Sequence, residues 1–278
     1  MAPREIETLA FGYGLIEGPR VDDDNNLYFS DVPNGGVYRR SPDGEITVAI
    51  PKRRGVGGIA LHADGGFVVG GRNVCHVKDG KTRVIFEPGV SFNDLMTDSH
   101  GRIYCGTIRS DPFAGDFEDQ TPGECYRIEL DGSTSEVYGG VTLTNGIGFS
   151  PDETTIYHAD TGKHHLICHD IEDDQLVNRR ALNEHAKFFP DGLAVDEAGT
   201  IWVADYGNSA VRGLSPTGEV VDSIDVPAKA VTSVCFGGED RRDLYIVTAD
   251  NTDDPGRAGT VFRTRADVPG LPVAKARI

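Results

Sequence analysis

Four residues that can do chemistry share one position in a repeating pattern: Glu17, Asn93, Asn145 and Asp191. Asn93 precedes Leu95, Asn145 precedes Ile147 and Phe149, and Asp191 precedes Leu193 and Val195, so apolar residues follow at alternate places. Gly57, before Ile59 and Leu61, and Thr232, before Val234 and Phe236, hold the same position in two further copies. Brought together, two carboxylates and two amides would offer oxygen donors without His or Cys. That set favours a hard divalent cation, Ca²⁺ first, with Mg²⁺, Mn²⁺ or Zn²⁺ as alternatives. Two carboxylates facing each other across a narrow space repel, and stay partly protonated unless a cation sits between them.

Asn145-Gly146 and Asp191-Gly192 are also ordinary turn dipeptides, and Glu17-Gly18-Pro19 is an ordinary loop. Register separates the two readings. Expected hairpin turns such as Asp43-Gly44 and Asp64-Gly65 fall after a first strand or at an outer edge, whereas the four oxygen-bearing residues are expected just before a first strand.

The elements that must position them recur with the same beat. Each copy continues through a turn to a second apolar run: Leu27-Tyr28-Phe29, Phe67-Val68-Val69, Ile103-Tyr104-Cys105, Ile156-Tyr157-His158, Ile201-Trp202-Val203 and Leu244-Tyr245-Ile246. The copies begin at residues 17, 57, 93, 145, 191 and 232, a spacing typical of propeller blades. The prediction is an all-β, six-bladed β-propeller forming one domain over residues 1–278, with a metal ion in the central channel, where equivalent positions of the blades form a ring. A leading strand over Arg4 to Ala10 is expected to complete the last blade, with Leu271 to Ile278 as the competing segment. The longest interruption, Ile108 to Gly123, is either a lid or a plain insertion. His164-His165 is expected as a solvated pair at a hairpin tip, and Trp202 as core filling.

Composition narrows the function classes. A net charge of −17 argues against nucleic acid and anionic membrane surfaces, both of which need clustered Lys and Arg. The 35 glycines and 15 prolines punctuate short strands, and no long amphipathic helix is predicted. Cys75, Cys105, Cys125, Cys168 and Cys235 show no disulfide or zinc spacing and are expected as buried thiols. Met1 to Leu15 lacks an uninterrupted apolar run, so a cytoplasmic protein, monomeric by default, is the expectation.

At Glu17-Gly18-Pro19, Phe92-Asn93-Asp94 with Asp98 and Gly101-Arg102, Thr144-Asn145-Gly146 with Ser150-Pro151-Asp152, and Pro190-Asp191-Gly192-Leu193-Ala194-Val195-Asp196, the chain resembles the gluconolactonase family that includes regucalcin (senescence marker protein). That resemblance spans nearly the whole length. It implies a six-bladed propeller with one divalent cation held by Glu17, Asn145 and Asp191, with Asp191 also the general base and Asn93 orienting substrate or water. Two positions depart from the family pattern. Ser91 stands where sugar-lactone members often carry an arginine that grips substrate hydroxyls, and Asp119 is a loose match to an acidic lid residue.

The implied activity is metal-dependent hydrolysis of a sugar-acid or other small lactone or ester, the cation polarising the carbonyl and Asp191 taking a proton from water. One alternative is a phosphotriesterase or esterase similar to diisopropyl fluorophosphatase, with Glu17, Asn93, Asn145 and Asp191 as a four-residue cage. A second is a calcium-binding propeller without catalysis. No Gly-x-Ser-x-Gly elbow is present, which argues against a serine hydrolase.

Overall fold

Each of the six repeats builds one four-stranded antiparallel sheet, and the computed structural model describes residues 4–109, 111–112 and 120–278. The innermost strands are Ile16–Val21, Ile59–Leu61, Ser91–Thr97, Thr144–Phe149, Pro190–Val195 and Val231–Gly237, one per blade in chain order. Within blades one to five the strands follow outward in sequence order through hairpins, giving a six-bladed all-β propeller.

Burial falls from the axis outward. Every residue of Thr144–Phe149 and Val231–Gly237 is buried, whereas Ile46–Ile50, outermost in blade one, is mostly exposed. Inner strands have a neighbouring blade on each face, so they tolerate apolar residues on both sides; outer strands lose that cover. The core lies between blades: Trp202 and Val211 of blade five pack with Val234, Phe236, Leu244 and Ile246 of blade six. Fully burying one such side chain contributes about 1.5–3 kcal/mol. Trp202 fills core as expected and also donates its indole N–H to Asp196 Oδ2 at 2.9 Å.

The ring closes through the leading segment. Glu7–Tyr13, three residues beyond the start of the predicted strand, pairs antiparallel with Gly259–Arg265 as the outermost strand of blade six, with Ala10 opposite Val261. The competing C-terminal segment runs elsewhere. It crosses the far end of the channel, where Leu271 N–H donates to Val195 O (3.0 Å), Ala276 N–H to Leu61 O (2.8 Å) and Arg277 N–H to Gly101 O (3.0 Å).

Several acidic residues of the sequence motifs are turn formers rather than site residues. Asp98 Oδ1 accepts from His100 N–H (3.1 Å) and Arg102 N–H (2.9 Å), and Asp196 Oδ1 from Ala198 N–H (3.0 Å) and Thr200 N–H (2.9 Å). Each carboxylate closes an inner hairpin by capturing two amides. All five cysteines are free and buried. His164-His165 is not a solvated pair: both rings are half-buried, and His164 bonds Phe188 O at 3.0 Å and packs edge-on against Phe189.

Candidate active site at the mouth of the central channel

The four oxygen-bearing residues do not precede the first strands; they lie within them. In blades one, three, four and five the ladder breaks between Glu17 and Arg20, Phe92 and Leu95, Thr144 and Ile147, and Pro190 and Leu193. A bulge frees one residue from the pleat and re-aims its side chain. In blades three, four and five the bulge frees Asn93, Asn145 and Asp191, while in blade one Glu17 is the last paired residue before it, opposite Ser30. All four line a shared cavity of about 820 Å³.

The glycines after two of them answer a packing demand rather than a turn. A Cβ on Gly146 would lie 2.5 Å from Leu193 N, and one on Gly192 would collide with the Ser233 side chain. Neither glycine has a positive φ, so the next blade's approach explains them, and the turn-dipeptide reading falls. Blade three places Asp94 there instead, and its buried carboxylate faces the buried Arg20 guanidinium at 3.7 Å. Arg20 also donates to Pro19 O (2.7 Å) and Leu95 O (3.1 Å), which fixes it beneath the site.

Hydrogen bonds set the amides. Asn145 Nδ2 donates to Thr161 Oγ1 at 2.7 Å, and Thr161 in turn donates to Pro190 O at 2.5 Å. Asn145 Oδ1 is therefore the free end, and it accepts from Asn93 Nδ2 at 2.5 Å. Asn93 Nδ2 also donates to Thr144 O at 2.8 Å. Behind this strand Thr144 Oγ1 meets His158 Nε2 at 2.6 Å, and His158 Nδ1 meets the Tyr138 hydroxyl at 2.8 Å. Burial pushes His158 down to about 3, so the imidazole is neutral and serves as a rigid bridge.

The carboxylates have no such relief. Burial, and then the charges of Asp191 and Asp94, push Glu17 well above the usual carboxylate range. Burial, and then Asp94, do the same to Asp191. Asp191 Oδ1 is the one buried carboxylate oxygen without a hydrogen-bond partner among the described residues. Among the described residues no group of three or more His, Cys, Asp or Glu side chains could hold a metal ion, so a cation here would need amide oxygen as well as carboxylate. The donors present fit one. Glu17, Asp94 and Asp191, when ionised, carry three negative charges against one positive charge on Arg20, and a divalent cation balances that surplus of two. Asn145 Oδ1 and the Glu17 and Asp191 carboxylates would supply oxygen, leaving one Asp191 oxygen free.

Of the remaining expected residues, Ser91 lines the cavity and Asp119 lies outside the described residues. Ile108, Arg109 and Pro112 line the cavity at the start of the long interruption, of which residues 110 and 113–119 are not described. Sequence reasoning missed Arg20, Thr161, Tyr206, Arg72 and Lys229. Arg20 follows Glu17 by three residues and left a faint signal; Thr161 and Tyr206 each follow the closing Asp of a second strand, and Arg72 and Lys229 lie in connections.

Comparison with known proteins agrees with this architecture. The family described as SMP-30/Gluconolactonase/LRE-like region matches residues 15–250. The chain is 34% identical to a 6-deoxy-6-sulfogluconolactonase of Pseudomonas putida, with 88% of each chain covered. It is 33% identical to the pentonolactonase XacC of Haloferax volcanii, covering 92% of this chain and 88% of the relative. A luciferin-regenerating enzyme of known structure superposes with a TM-score of 0.89 at 25% identity, over 99% of this chain and 100% of the other. A family model that matches residues 15–250, with a relative 34% identical over 88% of the chain, means that the protein belongs to the SMP-30/gluconolactonase/LRE-like family.

Proposed function

We propose that this protein is a metal-dependent lactonase whose general base is Asp191. Its relatives support a lactonase-type reaction, and the observation that carries the finer reading is the buried Asp191 Oδ1 with no partner at the cavity floor. A carboxylate pushed upward by burial is a stronger base than one in water, and an unpartnered oxygen is free to take a proton.

Glu17, Asn145 and Asp191 would hold the cation. When bound, a divalent cation supplies Lewis-acid polarisation of a carbonyl oxygen. The chain's own residues do the rest. Thr161 locks the Asn145 amide so that its oxygen faces Asn93 and its nitrogen does not. Asn93, with both amide N–H groups engaged, keeps Oδ1 to orient a water or a substrate hydroxyl. As that water attacks the lactone carbonyl carbon, its proton passes to Asp191 Oδ1. The ring C–O bond then breaks, and the departing oxygen takes that proton from Asp191, giving a hydroxy acid and restoring the carboxylate.

The test is acid release over a panel of sugar and aliphatic lactones, with Ca²⁺, Mn²⁺, Mg²⁺ or Zn²⁺ added and again after chelation, using Asp191→Ala as control. Turnover that needs the cation and vanishes in the variant is expected. Turnover indifferent to both would refute the mechanism. Hydrolysis of phosphotriesters in preference to every lactone would assign the same oxygen floor to phosphorus chemistry instead.

A further inference from the structure

The cavity has opposite charge at its two ends. Its floor holds Glu17 and Asp191, while Arg72, Arg109 and Lys229 line it from exposed positions at the rim. Arg109 is compensated, since its Nε donates to Glu124 Oε1 at 2.7 Å and Oε2 at 3.0 Å. Arg72 and Lys229 have no carboxylate within ion-pair distance among the described residues. Cations with no acidic partner among the described residues stand out at the mouth of a cavity in a chain with a net charge of −17.

Arg72 has a further significance of place. Gly71 N–H donates to Phe92 O (3.2 Å) and Phe92 N–H donates to Gly71 O (2.7 Å), an isolated bridge that joins blade two to blade three. Arg72 is thereby stapled beside Ser91-Phe92-Asn93 at the wall of the cavity. A guanidinium thus reaches this side of the cavity from a neighbouring blade. Lys229 enters from the connection between blades five and six, on the other side of the ring.

We propose that the site takes a lactone bearing a second, anionic oxyacid group (carboxylate, sulfonate or phosphate) and that Arg72 binds that group. This rests on the lactonase reading. The basic rim attracts the anionic end, so the substrate enters with its carbonyl toward Asp191. The planar fork of arginine suits two oxygens of one oxyacid.

The experiment compares kcat/KM for glucono-1,5-lactone with that for its 6-phosphate and 6-sulfonate analogues and for a glucaric acid lactone, in wild type, Arg72→Gln and Lys229→Gln. Binding of sorbitol 6-phosphate against sorbitol, by calorimetry, reads the rim without any turnover. Wild type should prefer at least one anionic lactone by 10-fold or more. Arg72→Gln should lose about 10–100-fold on that substrate and less than about 3-fold on the neutral one. Sorbitol 6-phosphate should bind wild type and not Arg72→Gln, while sorbitol binds neither. Equal losses on neutral and anionic lactones, a loss confined to Lys229→Gln, or sorbitol 6-phosphate binding no better than sorbitol would each overturn the proposal. Absence of turnover on every lactone, with sorbitol 6-phosphate still bound through Arg72, would overturn the lactonase reading and leave the anion site.

Discussion

Replacing Asp191 by Asn should move stability and activity in opposite directions, and the sign depends on the cation. Without one, wild type buries Glu17, Asp94 and Asp191 against the single guanidinium of Arg20, and Asp191 Oδ1 has no partner. An unsatisfied buried polar atom costs about 1–3 kcal/mol, and more when charged. Asp191→Asn removes the charge, so in chelator the variant should melt a few degrees above wild type, at about 2–4 °C per kcal/mol for a chain of this size. With cation at 100 times its Kd, wild type should gain about 2.7 kcal/mol, or roughly 5–11 °C. The variant, lacking one of the two carboxylates, should gain less than about 2 °C. Lactone turnover should fall by about 10²–10⁴-fold. Scanning fluorimetry in EDTA and in Ca²⁺, Mn²⁺, Mg²⁺ and Zn²⁺ reads the thermal part, and acid release reads the catalytic part. A wild-type melting temperature indifferent to every cation, together with a variant less stable than wild type in EDTA, would refute the electrostatic reasoning.

Three further outcomes follow from other parts of the structure. His158, held down at about 3 by burial against about 6.5 in the unfolded chain, binds fewer protons folded than unfolded between those values, so its contribution is complete above pH 6.5 and is lost as pH falls. His158→Gln should reduce the acid-side slope of unfolding free energy by up to about 1.4 kcal/mol per pH unit, and an unchanged slope in urea melts from pH 6.5 to 4.5 would count against it. Gly57→Ala would place a methyl on Asn93 Oδ1, so turnover should drop about 10–100-fold while calorimetric cation affinity changes less than about 3-fold; a parallel fall in both would make Asn93 a ligand. Deleting residues 271–278 removes four backbone hydrogen bonds, to Val195, Leu61, Ala63 and Gly101, at about 1 kcal/mol each, and should lower the melting temperature by about 8–16 °C; a melt within 2 °C of the full chain would show the strap to be dispensable.

Much of the fold and part of the site are legible in the sequence. Alternation along a strand is a local property, so Ile147 and Phe149, or Leu193 and Val195, announce an inner strand wherever the chain goes. Six copies of one unit can bury both faces of each sheet only by closing on themselves, which brings equivalent positions to a common axis. Glu17, Asn93, Asn145 and Asp191 therefore converge because their registers match, and that register is written in the sequence. Tertiary structure alone decided what lies across blade boundaries. The Arg20–Asp94 pair, the Thr161 lock on Asn145, the stapling of Arg72 beside Ser91 and the strap over the far channel mouth all join residues whose separation along the chain carries no periodic signal. The glycines at 146 and 192 mark the division most clearly, because their dipeptides read as turns while the reason for them, the backbone or side chain of the next blade within contact of a missing Cβ, exists only once the blades have packed.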